Sequence, residues 1–98
     1  GWYKPMPKLY TLRNGYIVSI WSNENGEEIH VHISKRKPSA NSTKFWLLEN
    51  GEFVLAHNRS RIPEQDLNYI KAFLNANSEE IRNSWIAYHG YEKYRTER

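Results

Sequence analysis

Two of the chain's four histidines, His30 and His32, lie close enough in sequence to act together in acid–base chemistry. The segment 28–33 alternates polar and apolar residues, which predicts a β-strand with both imidazoles on one face. Residues two apart on a strand are separated by roughly 6.5–7 Å, so the two rings can flank a phosphodiester. Since an imidazole titrates near neutral pH, one ring can act as the base and the other as the acid. This is the hypothesis of a metal-independent ribonuclease with His30 and His32 as its catalytic residues.

The same pair has two other interpretations. Two imidazoles can ligate a metal ion, but the spacing marks no third ligand: Glu28 shares the face, and His57 and His89 are remote. The two histidines can also be solvent-facing strand residues or hydrogen-bonded packing residues. We therefore expect no metal and no cofactor, while the catalytic and packing interpretations both stay open.

The composition predicts one small domain and fits a reducing compartment, although a secreted protein without cysteine would have the same composition. The 98 residues suit a single domain, and a hydrophobic fraction of 39% with 14% aromatic residues provides a core, which excludes global disorder. The lack of cysteine excludes disulfides, thiolate metal sites and thiol catalysis. No apolar run is as long as a membrane span or the core of a signal peptide. We expect a cytoplasmic protein without a membrane partner.

Four segments with the composition of strands precede two with the periodicity of helices. Residues that favour strands fill the segments 16–22, 28–34, 43–49 and 52–56. Gly26 suits the first turn, and Asn50-Gly51 predicts a tight hairpin with positive φ at both positions. Polar loops at 35–42 and 57–62 make the other two connections.

Helical signals begin at Pro63, a residue suited to the first turn of a helix. Asn77 and Glu80 have the spacing of a capping box that starts a second helix, and Gly90 suits its C-terminal end. The predicted buried stripes contain apolar residues at helical spacing: Leu67, Ile70, Phe73, Leu74, Ile81, Trp85 and Tyr88.

The order of these elements predicts an α+β fold, a four-stranded antiparallel meander with two C-terminal helices packed on one face. The domain would span 15–90. Two prolines in the first seven residues indicate that 1–14 is an extended lead-in, and Met6-Pro7 is a candidate native start. The last residues, 91–98, form either a tail or an extension of the second helix.

The sheet face that carries the histidines, the outer face, has the composition of a binding surface. If the apolar residues of 28–33 face the helices, then His30 and His32 face away from them. The neighbouring strands can supply Ser19, Trp21, Lys44 and Trp46 to the same face. Such side chains suit base stacking and phosphate contact in single-stranded RNA binding, and they equally suit a protein interface. Burial of one or both tryptophans in the core stays open, because a shift of one residue exchanges the two faces.

Meander connectivity predicts that charged side chains separate to two ends of the sheet. The turn 23–27 and the hairpin 50–51 would form an acidic end with Glu24, Glu27, Glu28, Glu49 and Glu52. The loops 35–42 and 57–62 would form a basic end with Lys35, Arg36, Lys37, Arg59 and Arg61. The second helix would end there too and add Lys93, Arg95 and Arg98. A basic end attracts RNA or an acidic protein partner, although the net charge of +3 also serves solubility alone.

Five short motifs are shared with a known bacterial family. They are Gly15-Tyr16, Trp21-Ser22-Asn23-Glu24, His30-Val31-His32-Ile33, Lys44-Phe45-Trp46-Leu47 and Trp85-x-x-Tyr88. Over about 6–90, the chain resembles the family catalogued as domain of unknown function 4160. Its members are small, and some are encoded in gene pairs of the toxin–antitoxin type. The resemblance implies a toxin or a partner-bound role and supplies no established reaction. Where the family usually has Pro-Pro before the first histidine, this chain has Glu28-Ile29.

The sequence thus predicts a small module that binds RNA or another anionic partner, with a toxin-like ribonuclease as its most specific form. The expected binding residues are Trp21, Lys35, Arg36, Lys37, Lys44, Trp46, Arg59 and Arg61. The alternative is a non-catalytic interaction module that docks a protein, such as the product of a paired gene, through the outer face. The oligomeric state is not predicted.

Overall fold

The structure, a computed structural model, describes residues 5–21 and 26–96. Its strands and helices are β1 (Pro5–Thr11), β2 (Tyr16–Trp21), β3 (His30–Lys35), β4 (Thr43–Leu47), β5 (Phe53–His57), α1 (Glu64–Ala76) and α2 (Ser78–His89). A short 3₁₀ turn, Arg13–Gly15, links β1 to β2. The predicted turn residues 23–25, with Glu24, and the terminal Arg98 lie outside the described residues.

The five strands form one antiparallel sheet in the order β1-β2-β3-β4-β5, so the predicted α+β fold is confirmed. The predicted number of four strands is wrong, because Pro5–Thr11 forms a strand instead of a lead-in. Prolines are tolerated on an edge strand, and β1 pairs with β2 alone. The register of β1 shifts on both sides of Lys8, and such bulges discourage an edge strand from pairing with other chains.

Alternate strand residues build the core together with both helices. Cross-strand partners on the core side include Val18–Ile33, Val31–Phe45 and Leu47–Phe53. The helices add Ile70, Leu74, Ile81 and Trp85 to the same cluster. Every one of these side chains is at most 1% exposed. Full burial of one such side chain is worth about 1.5–3 kcal/mol, so this cluster is the main source of stability.

The residues between these core positions point to the outer face, as the alternation predicts. Ser19, His32 and Lys44 are consecutive cross-strand partners there, and His30 lies opposite Trp46. The sequence therefore assigned these five residues to the correct face of the sheet.

The link between β4 and β5 differs from the predicted tight hairpin. Gly51 has a positive φ of 93°, whereas the φ of Asn50 is not positive. The Gly51 N–H donates to the Leu48 carbonyl (3.0 Å), and the Glu52 N–H donates to the side-chain oxygen of Asn50 (2.9 Å). An asparagine that binds the backbone two residues further on closes the turn without a second left-handed residue.

The helices meet at Asn77 without the predicted capping box. Asn77 makes no side-chain cap to α2 and donates through Nδ2 to the Phe73 carbonyl (2.8 Å) of α1. Glu80 instead accepts a hydrogen bond from a tyrosine of β1. Tyr88, predicted to be buried, is 46% exposed. The buried residues of α2 are Ile81 and Trp85, so its buried stripe is narrower than its apolar pattern. Gly90 ends α2 in the left-handed conformation, as predicted.

The C-terminal segment 91–96 crosses the end of the sheet instead of extending α2. The Ile29 N–H donates to the Lys93 carbonyl (2.8 Å), and the Arg95 N–H donates to the Leu47 carbonyl (3.1 Å). The segment thus satisfies backbone groups at the ends of β3 and β4. It places Lys93 and Arg95 at the acidic end, so the prediction that they join the basic end is wrong.

We expect Asn75→Ala to destabilise the protein by about 1–3 kcal/mol, because the Asn75 side-chain oxygen accepts the N–H of Phe53 at 2.7 Å. Phe53 is 0% exposed, so water has little access to replace this partner. Asn68→Ala, at an exposed position of the same helix, is the matched control and should change the free energy of unfolding by at most about 0.5 kcal/mol. Chemical denaturation measures both. Equal effects of the two substitutions would contradict this role of Asn75.

Candidate functional site

His30 is fully buried among aromatic rings. Its side chain is 0% exposed. Its ring centroid lies 5.0 Å from that of His32, 5.3 Å from Trp46 and 5.2 Å from Trp85. Its Nδ1 lies 2.8 Å from the Glu28 carbonyl oxygen, and because a carbonyl only accepts, Nδ1 carries the hydrogen. His30 therefore connects the outer face of β3 to α2.

These contacts belong to a larger aromatic cluster, which consists of Trp21, His30, His32, Trp46, Trp85 and His89. Trp21 contacts His32 with 4.8 Å between ring centroids, and His89 contacts Trp85 at 4.2 Å. Trp21 is 6% exposed and Trp85 is 0% exposed. Much of the surface that the sequence offers for base stacking is thus internal.

The two histidines do not line an open gap. Their rings lie 5.0 Å apart at an interplanar angle of 76°, and His30 has no accessible surface. A bound phosphodiester can therefore touch only His32, which is half-buried and has its Nδ1 2.9 Å from the Ser42 hydroxyl oxygen. The packing interpretation describes His30, while catalysis by the pair stays a prediction.

Lys44 and Trp46, both predicted binding residues, are engaged with other parts of the chain. The Lys44 ammonium lies 3.2 Å from a Glu27 carboxylate oxygen and 4.1 Å from the centre of the Trp46 ring. The Arg95 guanidinium lies 4.6 Å from the same ring and 3.9 Å from a Glu28 carboxylate oxygen. Two cations of the chain thus contact the indole of Trp46, and each of them is paired with a carboxylate.

The basic end exists where meander connectivity predicts it. The Thr43 hydroxyl, directly after the loop 35–42, lies 2.7 Å from the Asn58 side-chain oxygen and 2.6 Å from the Ser60 hydroxyl. The Arg36 N–H donates to the Gly15 carbonyl at 2.7 Å. Three connections therefore meet at this end, and the 3₁₀ turn adds a sixth basic residue. The exposed members of the basic end are Arg13, Lys35, Arg36, Lys37, Arg59 and Arg61.

These six cations have no acidic partner among the described residues. Within residues 5–21 and 26–96, none of them lies within 4.0 Å of a carboxylate. Asp66, at the nearby start of α1, accepts a hydrogen bond from the Tyr16 hydroxyl at 2.6 Å. The pKa of Tyr16 is raised to about 12, mainly by burial and further by this hydrogen bond and the charge of Asp66. The carboxylate of Asp66 is thus committed to Tyr16.

The backbone of the basic end contains left-handed residues. Asn14 (φ 66°), Arg36 (φ 72°) and Arg61 (φ 58°) are the residues other than glycine with positive φ in the described ranges, and all three lie here. A left-handed conformation costs an ordinary residue about 1–2 kcal/mol, and such strain tends to concentrate at functional sites. The Arg61 N–H donates to the Asn58 carbonyl (3.1 Å), which helps to hold this geometry.

His57 lies where the outer face meets the basic end. It is the cross-strand partner of Lys44 and precedes Arg59 by two residues. Its buried Nδ1 has no hydrogen-bond partner among the described residues. Burial lowers the pKa of His57, as do the positive charges of Arg59, Lys44 and His32, while an interaction with its own backbone acts in the opposite direction.

A family model described as "Domain of unknown function (DUF4160)" matches residues 15–86. The chain belongs to this family. The match contains β2 to β5, α1 and most of α2, so the histidine strand and the basic end lie inside it and β1 lies before it. No curated protein and no solved structure matches the chain.

Two further observations on this DUF4160 member concern metal ions and membranes. The described residues contain no group of three or more histidine, aspartate and glutamate side chains placed to bind a metal ion. Neither α1, with 13 residues, nor α2, with 12, is long enough to span a membrane.

Sequence reasoning missed Arg13 and gave His57 only a remote role as a metal ligand. Assigning Pro5–Thr11 as a strand would have placed the turn at Arg13 at the same end of the sheet as the loops 35–42 and 57–62. His57 carried a weaker signal, because its position depends on a register shift in β5 opposite Lys44 and Phe45.

His30→Ala should destabilise this DUF4160 protein by about 3–5 kcal/mol, the range for removing a large buried ring. Tyr88→Ala removes an exposed ring from α2 and should cost no more than about 0.5 kcal/mol. Denaturant unfolding of both variants measures the difference. An unchanged stability of His30→Ala would contradict the packing role.

Acid should destabilise the protein partly through His57. Because the folded pKa of His57 lies below the ordinary value of 6.5, the unfolded chain binds more protons as the pH falls past 6.5. The free energy of unfolding therefore decreases in that window. His57→Gln removes this titration, so its melting temperature should fall less steeply between about pH 7 and pH 5. Parallel slopes for the two proteins would contradict a lowered pKa.

Proposed function

We propose that the protein binds RNA through its basic end, mainly by contacts to the phosphate backbone. The observation that carries this proposal is the convergence of six exposed cations from three connections, with no carboxylate of the described chain within 4.0 Å. Cations that neutralise phosphates release bound counterions, which supplies most of the affinity of sequence-independent binding.

The structure favours a folded or double-stranded RNA over an unstructured single strand. Single-strand binders stack bases on accessible aromatic rings. Here Trp21 and Trp85 are buried, and the rings near the basic end lie beneath cations: Lys35 lies 4.9 Å from the Tyr16 ring centre and Arg13 lies 4.3 Å from that of Tyr69. Duplex RNA is recognised by shape and backbone, which requires no stacking surface.

A toxin-like role in a gene pair is part of this proposal and rests on the family resemblance. In that role, RNA would bind the basic end in the cytoplasm, and an acidic partner protein would compete for the same cations. The ribonuclease hypothesis for His30 and His32 receives no support from the burial of His30. Cleavage of RNA that both His30→Ala and His32→Ala abolish would still support it.

One observation favours docking of a protein as a second candidate function. Leu55, on the edge strand β5, is 43% exposed. It lines a groove with Trp46, Leu48, Val54, Ala56, Arg95 and Thr96. Exposed leucine beside a tryptophan suits the apolar centre of a protein interface, with arginine at its margin.

The RNA proposal is tested by reversing the charges of Lys35, Arg36 and Lys37 to glutamate and measuring binding to a short RNA duplex by fluorescence anisotropy. Affinity should fall, and the slope of log affinity against log salt should flatten by about 0.7–0.9 for each phosphate that the variant no longer neutralises. Lys71→Glu, at an exposed position of α1, is a control for nonspecific charge effects and should keep the wild-type slope. Unchanged affinity and slope in the triple variant would remove the basic end from the binding surface.

A further inference from the structure

The two edge strands of the sheet differ in how well they are protected against pairing with another chain. β1 contains two prolines and Lys8, and its register shifts on both sides of Lys8. Prolines, lysines and bulges are the features with which edge strands block the addition of a further strand. β5 contains no proline, lysine, arginine or acidic residue, it pairs with β4 alone, and its Leu55 is 43% exposed. β5 is therefore the edge that is open to another strand.

The backbone of β5 shows where a further strand can pair. In an antiparallel sheet, alternate residues of a strand direct their N–H and C=O groups to the same side. The Phe53 N–H donates to the Asn75 side chain of α1 at 2.7 Å and so points away from β4. Leu55, two residues later, directs its N–H and C=O to the same open side. Because the donor of Phe53 is already used and the register shifts between Leu55 and His57, the available part of the edge is centred on Leu55.

The charges on either side of β5 indicate what occupies this edge. Glu49 and Glu52 precede the strand, Arg59 and Arg61 follow it, and all four side chains are exposed. A second copy of β5 in the antiparallel direction would place Glu52 of each copy beside Arg59 of the other. A copy in the parallel direction would place like charges side by side, which is unfavourable. The edge is thus complementary in charge to an antiparallel copy of itself.

We infer that two copies of the chain associate through antiparallel pairing of their β5 strands, with the two-fold axis at Leu55. The two Leu55 residues exchange both backbone hydrogen bonds, and their exposed side chains cover each other. Val54 of each copy lies opposite Ala56 of the other, at the groove that both residues line with Trp46. This inference goes beyond RNA binding. It names the occupant of the Leu55 groove and, in that respect, rests on the second candidate function, the docking of a protein.

The pairing is short, so we expect a reversible dimer. Two backbone hydrogen bonds, one pair of leucines and two ion pairs make an interface at the small end of the range for specific complexes. We expect a dissociation constant on the order of 10–100 μM that rises with salt, because exposed ion pairs are screened. The two basic ends would lie at opposite ends of a continuous sheet, since the paired strands run in opposite directions.

Sedimentation equilibrium of the wild type and Leu55→Lys tests the interface. The wild type should pass from monomer to dimer as its concentration rises. Leu55→Lys places two ammonium groups across the axis and should raise the dissociation constant at least about tenfold. Tyr88→Lys makes the same charge change at a side chain that is 46% exposed on α2, so it should keep the wild-type constant. A wild type that stays monomeric up to about 1 mM, or an unchanged constant in Leu55→Lys, would overturn the inference.

A charge exchange tests the antiparallel direction without changing Leu55. A copy with Glu52→Arg is basic on both sides of β5, and a copy with Arg59→Glu is acidic on both sides. Each variant alone should dimerise several-fold more weakly than the wild type, whereas an equal mixture should associate more tightly than either variant. A mixture no tighter than its components would overturn the antiparallel pairing. None of these measurements contains RNA, so a monomeric wild type overturns the second copy as occupant and leaves RNA binding and docking of a different protein as they stand.

Discussion

The burial of His30 against Trp85 is the contact on which the arrangement of this protein depends. His30 belongs to the outer face of β3, whereas Trp85 belongs to the core cluster of α2, and their ring centroids lie 5.2 Å apart. The contact therefore ties the two sides of the sheet together at one end. The Tyr91 hydroxyl donates to the Glu27 carbonyl at 2.7 Å and fixes the C-terminal segment over the same end. The strand whose histidines suggest acid–base chemistry, β3, is thus occupied by internal aromatic packing.

The same arrangement determines how charge is distributed. Glu27 and Glu28, next to His30 in the chain, pair with Lys44 and Arg95, so the acidic end is partly neutralised by cations of the fold. The basic end receives no such compensation from the described residues. A net charge of only +3 therefore conceals a strongly uneven surface. Uneven charge of this kind steers binding of an anionic partner, which the total charge does not reveal.

Composition was sufficient to predict β2 to β5, and the alternation in 28–33 was sufficient to predict the sheet face of His30 and His32. Alternation fails for Pro5–Thr11, since prolines on an edge strand look identical to prolines in a loop. Alternation also predicts the face to which a side chain points but not whether other elements bury it. His30 does point to the outer face, but α2 and the C-terminal segment close over it. Coverage depends on contacts between residues more than fifty positions apart, which no local pattern contains.

The helices show a related limit. The spacing of Asn77 and Glu80 predicts a capping box, but the tertiary contact of Glu80 with β1 takes the carboxylate away from the helix end. The location of Lys93 and Arg95 was wrong for the same reason, because backbone groups of Ile29 and Leu47 recruit the C-terminal segment. By contrast, the meeting of the loops 35–42 and 57–62 at one end of the sheet was predicted correctly, since it follows from strand order alone.

The most direct test of this account is an NMR titration with a short RNA duplex that follows both the backbone amides and the tryptophan indoles. RNA binding at the basic end predicts saturable shifts at the amides of 13–15, 35–37 and 57–61, while the indole N–H signals of Trp21 and Trp85 stay in place. Shifts concentrated at the aromatic cluster, with the basic-end amides unchanged, would contradict it.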